Sequence, residues 1–151
     1  MIALLQRVSE ASVAVDGKTI ASIGRGILAL IGVERGDTES EADRLAEKIM
    51  AFRIFPDDAG KMNRSLRDIG GELLLVPQFT LVADTKSGTR PSFSSAASPA
   101  EGERLFSYLI NHLKEKSVVI VTGRFGADMK VSLVNDGPVT FWLQVSPPGK
   151  S

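Results

Sequence analysis

The sequence predicts an α+β fold: one β-sheet-rich domain with barrel-like sheets and two main helices, near residues 38–51 and 98–116. Three observations predict it. Strand-like apolar segments recur along the whole chain, and they are separated by turn residues. Only two segments repeat apolar residues at helical spacing behind a capping residue. The chain has 151 residues, the length of a single domain able to bury a core.

The strands follow in order. "MIALLQRV" and "ASVAVDGKTIASIG" are short runs rich in β-formers, and Asp16-Gly17 within the second is a strong hairpin signal. "GILALIGV" is continuously apolar, as a strand buried on both faces would be. "ELLLVPQFTLV" is a similar run interrupted by Pro77, and "SVVIVTG", "MKVSLV" and "VTFWLQV" complete the set. Between the last two lies "NDGPVTF". A hairpin there accounts for Asn135, Asp136 and Gly137 as turn residues but not for Pro138, which removes a backbone donor where the returning strand should begin. Two readings stay open: a rigid turn, or backbone shaped for a ligand.

The first helix opens with a capping box, Thr38 with Glu41, ahead of Ala42, Leu45, Ala46, Ile49 and Met50. The second has Ser98 as N-cap, Pro99 at the first helical position and Glu101 to complete a box, with Leu105, Phe106, Leu109, Ile110 and Leu113 as the core-facing stripe. Of two long polar connections, 56–71 is rich in turn formers, and 83–99 is long enough to suggest a functional loop. The domain is expected to span residues 1–145, and "SPPGKS", 146–151, to be a disordered tail.

Composition narrows the function. Lys+Arg and Asp+Glu both count 18, a balance that argues against broad nucleic-acid binding while leaving room for local contact with one RNA end. No cysteine is present, so a disulfide framework and thiolate zinc sites are excluded. No signal-peptide pattern and no apolar run of about 20 residues is visible, so the expectation is a cytoplasmic protein without membrane contact.

Familiar catalytic patterns fail. "DGKT" lacks the preceding phosphate-loop glycine, since Ser12 stands there, and "GRG" at 24–26 lacks dinucleotide-loop spacing. The one histidine, His112, lies inside the second helix and reads as structural or surface; with it alone, a histidine-cluster metal site is impossible and no metal or cofactor is expected. Three clusters remain. "PQFTL", 77–81, puts Gln78 and Thr80 in an apolar run. "TGRFGADM", 122–129, offers Phe125 and Met129, which can stack on a base or simply pack. The third is "NDGPVTF".

Taken together, "QFTL", "RPSF" at 90–93, "GRFGADM" and "VSLVNDGPVTFWL", with "ALLQRVSEASVAVDG" at the N-terminus, resemble the D-aminoacyl-tRNA deacylase family from Met1 to about Val145. The resemblance implies an editing hydrolase that cleaves the ester between a D-amino acid, or mischarged glycine, and the 3′-terminal ribose of tRNA. It implies a homodimer with the active site at the subunit interface and no cofactor. It implies a cis Gly137-Pro138 bond that reaches the partner's pocket and excludes L side chains, with Arg7 bracing it. Gln78, Phe79 and Thr80 would line the catalytic pocket and offer backbone N–H groups to the oxyanion, while Phe125 and Met129 would hold the terminal adenine. Thr80 as nucleophile would need a base; water attack assisted by the substrate's 2′-hydroxyl fits the family better. The family commonly has Ser where this chain has Pro77, so any role of that hydroxyl is lost here. The rival readings are a non-catalytic homodimer that binds a small ligand or nucleotide, and a purely structural homodimer.

Overall fold

The computed structural model describes residues 1–149. Strand β1 (Ile2–Val15) organises the sheet. Its partner β2 (Lys18–Ile23) returns through Asp16 and Gly17, both at positive φ (51° and 77°), the backbone of a primed hairpin turn. The first N-terminal segment and the part of the second that precedes Asp16 form one 14-residue strand. β3 (Gly26–Gly32) continues along the same edge of β1, with Ile2 opposite Gly32 and Val8 opposite Gly26. Helix α1 (Glu39–Ala51) and a small hairpin, β4 (Phe55–Pro56) with β5 (Met62–Arg64), precede β6 (Glu72–Pro77), which pairs parallel to β3. Helix α2 (Pro99–Lys114) leads into β7 (Val119–Thr122), parallel to β6, and β8 (Lys130–Gln144) lies antiparallel along the other edge of β1.

The apolar runs are continuous because the central strands bury both faces. Ile27, Ala29, Ile31, Leu73 and Leu75 face the helices; Leu28, Leu74 and Val76 face the concave side, against Val8, Ala11, Val13, Ala21 and Ile23. β1 sends Ala3 and Leu5 to the helix side but Ala11 and Val13 to the concave side. That change of phase coincides with register shifts at Gln6/Val8 and Val8/Glu10, which bend the strand and curl the sheet toward a barrel. Gly26 is obligatory in this packing: a Cβ there would lie 1.8 Å from the Glu72 carbonyl oxygen.

The helices start as the sequence predicts. Thr38 and Glu41 form the reciprocal capping box, and Glu41 is 1% exposed. At α2 only half the second box forms: the Ser98 hydroxyl accepts from the Glu101 N–H (3.3 Å), but the Glu101 carboxylate turns to Arg104. The segment Phe79–Val82, read as a continuation of the strand, is a 3-10 turn beyond Pro77. His112 joins the helices, stacked on Tyr108 with Nδ1 3.4 Å from Asp43 and Nε2 3.6 Å from Glu47. The Met1 α-ammonium, fully buried, donates to Glu34 (3.0 Å), Asp37 (3.0 Å) and the Val145 carbonyl (2.6 Å), tying the first and last strands to the 34–37 turn. Of the tail, residues 150 and 151 lie outside the described residues, and the Ser146 carbonyl accepts from Arg44 (2.7 Å).

The hairpin reading of "NDGPVTF" is corrected. "MKVSLV" and "VTFWLQV" are two halves of one strand, β8, and both pair with β1. Thr140 sits opposite Gln6 and Asn135 opposite Val8, so five steps on β8 span two on β1. Residues 136–139 are a bulge within a single strand, with 136–138 exposed and Val139 buried. Local turn chemistry in the sequence is real, but the length of β1 keeps both halves on the same partner.

Candidate active site

A cavity of about 460 Å³ opens where the parallel strands end. Its volume is that of a small-ligand site. β6 delivers Val76, Pro77, Gln78 and Phe79 to one wall; Ala96, Ala97 and Ser98 enter just ahead of α2; Phe125 and Met129 come from the β7–β8 connection. Packing fixes the last two. Gly102 on α2 leaves the Phe125 ring at contact distance, since a Cβ there would lie 3.4 Å from it, and Phe106 meets that ring at 6.4 Å between centroids. Gly123 makes room for the Met129 thioether: a Cβ at 123 would lie 2.8 Å from the sulfur, which accepts from the Arg124 N–H at 3.4 Å. An aromatic face and a soft thioether side by side form a surface for a planar apolar ring.

The lip of the cavity is backbone. The Gln78 N–H is spent on the Ile31 carbonyl (2.7 Å), so it is no oxyanion donor, contrary to expectation. The N–H groups of Phe79 and Thr80, at the start of the 3-10 turn, donate to nothing among the described residues, as the first donors of any helical turn must. The Gln78 amide donates to the Thr80 hydroxyl. Thr80 is exposed and lies outside the cavity lining, with no base against its hydroxyl. No lining residue is titratable. The shifted carboxyls lie elsewhere; among them, in the helix seam, Arg104 holds Glu101 and Glu39 below the usual carboxylate range, and Lys116 does the same to Glu47.

Arg7, Gly137 and Pro138 form a second group. The Gly137-Pro138 bond is cis. Arg7, 12% exposed at its side chain, donates from Nε to the Asp136 carbonyl (3.0 Å) and from Nη1 to the Ile54 carbonyl (2.8 Å). Asn135 closes the bulge, accepting from the Val139 N–H (3.0 Å) and donating to the Thr140 hydroxyl (2.9 Å). Gly137 has φ +140°, and a Cβ there would lie 2.5 Å from Val139 Cγ2. The sequence had no signal for the Asn135 contacts, because they cross a bulge that it did not reveal.

The two groups do not meet within one chain. Arg7 lies opposite Ile27, and Ile27 opposite Leu73, whereas Gln78, just past the end of β6, is five residues beyond Leu73. At strand rise the offset is about 16 Å. Neither Gly137, Pro138 nor Arg7 lines the cavity. β8 pairs on one side only, and it exposes Val134 (50%), Phe141 (37%) and Trp142 (52%) beside the bulge. No helix among the described residues is long and apolar enough to cross a membrane.

Comparison with known proteins identifies the family. The chain is 63% identical over 148 residues to a D-aminoacyl-tRNA deacylase of Thioalkalivibrio sulfidiphilus, covering 98% of this chain and 99% of the relative. It is 60% identical over 145 residues to one of Photobacterium profundum, covering 96% and 100%. Among solved structures it superposes on the c-Myc DNA Unwinding Element Binding Protein with a TM-score of 0.93 at 38% identity, over 97% of this chain and 100% of that one. It shares its fold with a probable eukaryotic D-amino acid tRNA deacylase (TM-score 0.81, 16% identity, 95% and 98% covered). The model of the D-Tyr-tRNA(Tyr) deacylase family matches residues 4–144, and the chain belongs to that family.

Proposed function

We propose that the protein is a D-aminoacyl-tRNA deacylase, hydrolysing the ester between a D-amino acid and the 3′-terminal ribose of tRNA in the cytoplasm. Membership of the family supports the reaction, and the fold supplies a site suited to it. The observation that carries this reading is a cavity with no titratable lining and two unspent N–H groups, on Phe79, which lines it, and on Thr80, the next residue along the chain. Ester hydrolysis develops negative charge on the carbonyl oxygen, and preorganised backbone donors stabilise it. Phe125 and Met129 take the terminal adenine in the apolar part of the cavity. With no base beside Thr80, the attacking nucleophile is water, oriented by the substrate's own 2′-hydroxyl.

Chirality is read by backbone. The protein works as a homodimer, and the Gly137-Pro138 bulge of one subunit enters the pocket of the other. Support comes from the offset of about 16 Å along the sheet between the bulge and the Gln78 lip of the same chain, and from the apolar strand β8 exposed beside the bulge. Carbonyl oxygens of the bulge crowd the α-carbon on the face an L side chain would need; a D side chain points away. Exclusion of this kind offers no defence against a substrate without a side chain, so glycyl-tRNA is also cleaved. Gly137 itself leaves the backbone bare for the approach. Pro77, which carries no hydroxyl and lines the cavity, takes no part in the chemistry beyond shape.

Purified protein assayed on matched D-, L- and glycyl-tRNA tests this. Rapid release from the D and glycyl forms, with the L form left charged, is expected. Equal rates on D and L forms contradict the backbone filter, and no release from any form contradicts deacylation itself.

A further inference from the structure

Two exposed aromatic rings stand at the mouth of the cavity, which a soluble domain does not ordinarily leave to water without use. Phe79 is 63% exposed and Phe93 is 39% exposed, and their rings pair at 5.2 Å with a tilt of 48°. Phe79 also lines the cavity, so the pair is continuous with the proposed adenine site. Phe93 belongs to the long 83–99 connection, which is anchored rather than loose: Asp84 and Ser92 exchange both backbone hydrogen bonds (2.7 and 2.9 Å), and the Ala96 N–H reaches the Phe93 carbonyl (3.0 Å). Between Asp84 and Ser92 the loop carries Lys86 and Arg90, both exposed, and neither side chain is engaged by another among the described residues. The chain as a whole carries no formal net charge, so two unengaged cations on one short loop are a local positive feature.

We propose that Phe79 and Phe93 form a stacking platform for the nucleotide preceding the terminal adenosine, with Lys86 and Arg90 on the phosphates that follow the chain outward. Single-stranded nucleic acid is held by this combination of aromatic faces and backbone-tracking cations, without base-specific hydrogen bonds. The platform lets a charge-neutral enzyme hold an RNA end by four side chains. The inference rests on the deacylase reading given above.

The test compares D-aminoacyl-tRNA with a D-aminoacyl ester of adenosine alone, which lacks the preceding nucleotide. Phe93→Ala is expected to raise KM for the tRNA about tenfold, the loss expected for one stacked base. Its kcat stays near wild type, hydrolysis of the adenosine ester is unchanged, and Phe93→Tyr restores KM. Lys86→Ala with Arg90→Ala is expected to flatten the dependence of log KM on log salt by about 1.4, from two single-strand phosphate contacts. Binding of an uncharged CCA-ended oligonucleotide with 2-aminopurine at the penultimate position gives a readout free of catalysis: its fluorescence is quenched by the wild type and not by Phe93→Ala. Equal losses on both substrates, an unchanged KM, or conversion of Phe93→Ala to monomers would overturn the platform. Failure of the wild type on both esters would instead remove the deacylase reading, and the oligonucleotide measurement would still decide the stacking.

Discussion

Arg7 is where a single substitution tests the proposed backbone filter together with the packing that holds it. Its guanidinium joins the bulge to the chain just after α1 through the Asp136 carbonyl (3.0 Å) and the Ile54 carbonyl (2.8 Å). Hydrogen bonds from a charged donor contribute about 1.5–3 kcal/mol each. Residue 136 is exposed and its carbonyl recovers water, whereas Ile54 is 2% exposed and its carbonyl does so less readily. The Asp136 carboxylate, 3.6 Å from Nε and 54% exposed, adds little. Arg7→Ala should therefore lose about 3 kcal/mol, or about 6–12 °C in Tm for a chain of this size. Arg7→Lys, able to keep one contact, should lose about half of that. Urea unfolding measures the stability, and D- against L-aminoacyl-tRNA rates measured on the folded variant report the filter. The expected result is a stability loss together with a reduced D-to-L ratio. A loss below about 0.5 kcal/mol with an unchanged ratio would refute the clamp.

Three further outcomes follow from the same geometry. Phe79→Pro removes an N–H that donates to nothing, at the first position of a turn where proline is tolerated; kcat should fall about 10²–10³-fold, whereas Phe79→Ala should alter KM far more than kcat, as steady-state kinetics on D-aminoacyl-tRNA would reveal. Thr80→Ala should retain deacylation within about tenfold, and mass spectrometry during turnover should find no acyl-enzyme, because no base faces the hydroxyl. Burial alone would raise the Glu41 carboxyl, but hydrogen bonds from the Thr38 hydroxyl and N–H, with Arg44, hold it below its ordinary 4.5. A lowered carboxyl stabilises the fold at pH above its unfolded value, and that stability drains away as pH falls through the folded one. The stability gap between wild type and Glu41→Gln should thus be full at neutral pH and close below pH 4.5, as urea titrations across pH would show.

Much of the fold was legible because its signals are local. Asp16-Gly17 specifies a primed turn, Thr38 with Glu41 a cap, and the double-faced burial of β3 and β6 reads directly as unbroken apolar runs. What stayed hidden depends on partners distant in sequence. Residues 135–138 carry every mark of a turn, yet β1 is long enough to pair with both flanks, and the marks encode a bulge. The carboxylate of Glu101 had two possible partners, and Arg104 one turn on took it. In the site, Phe125 and Met129 do share one cavity with Gln78 and Phe79, but nothing in the spacing showed that the Gln78 N–H would be spent on Ile31. The separation of Arg7, Gly137 and Pro138 from that cavity follows from sheet register, which local sequence does not carry.

The central claim is that the cavity of one subunit is completed by the bulge of the other, and subunit mixing tests it most directly. Phe79→Pro disables the cavity lip, and Gly137→Ala disables the bulge, where φ is +140° and the new Cβ meets Val139 at 2.5 Å. Each variant alone should be nearly inactive: the first lacks an oxyanion donor, and the methyl added by the second obstructs the approach that the bare backbone at 137 leaves open. After dissociation and reassociation of an equal mixture, half the dimers are hybrids with one intact site of two, so about a quarter of wild-type deacylation should return if the site is shared across a two-fold dimer. A mixture that stays as inactive as its components would contradict the account.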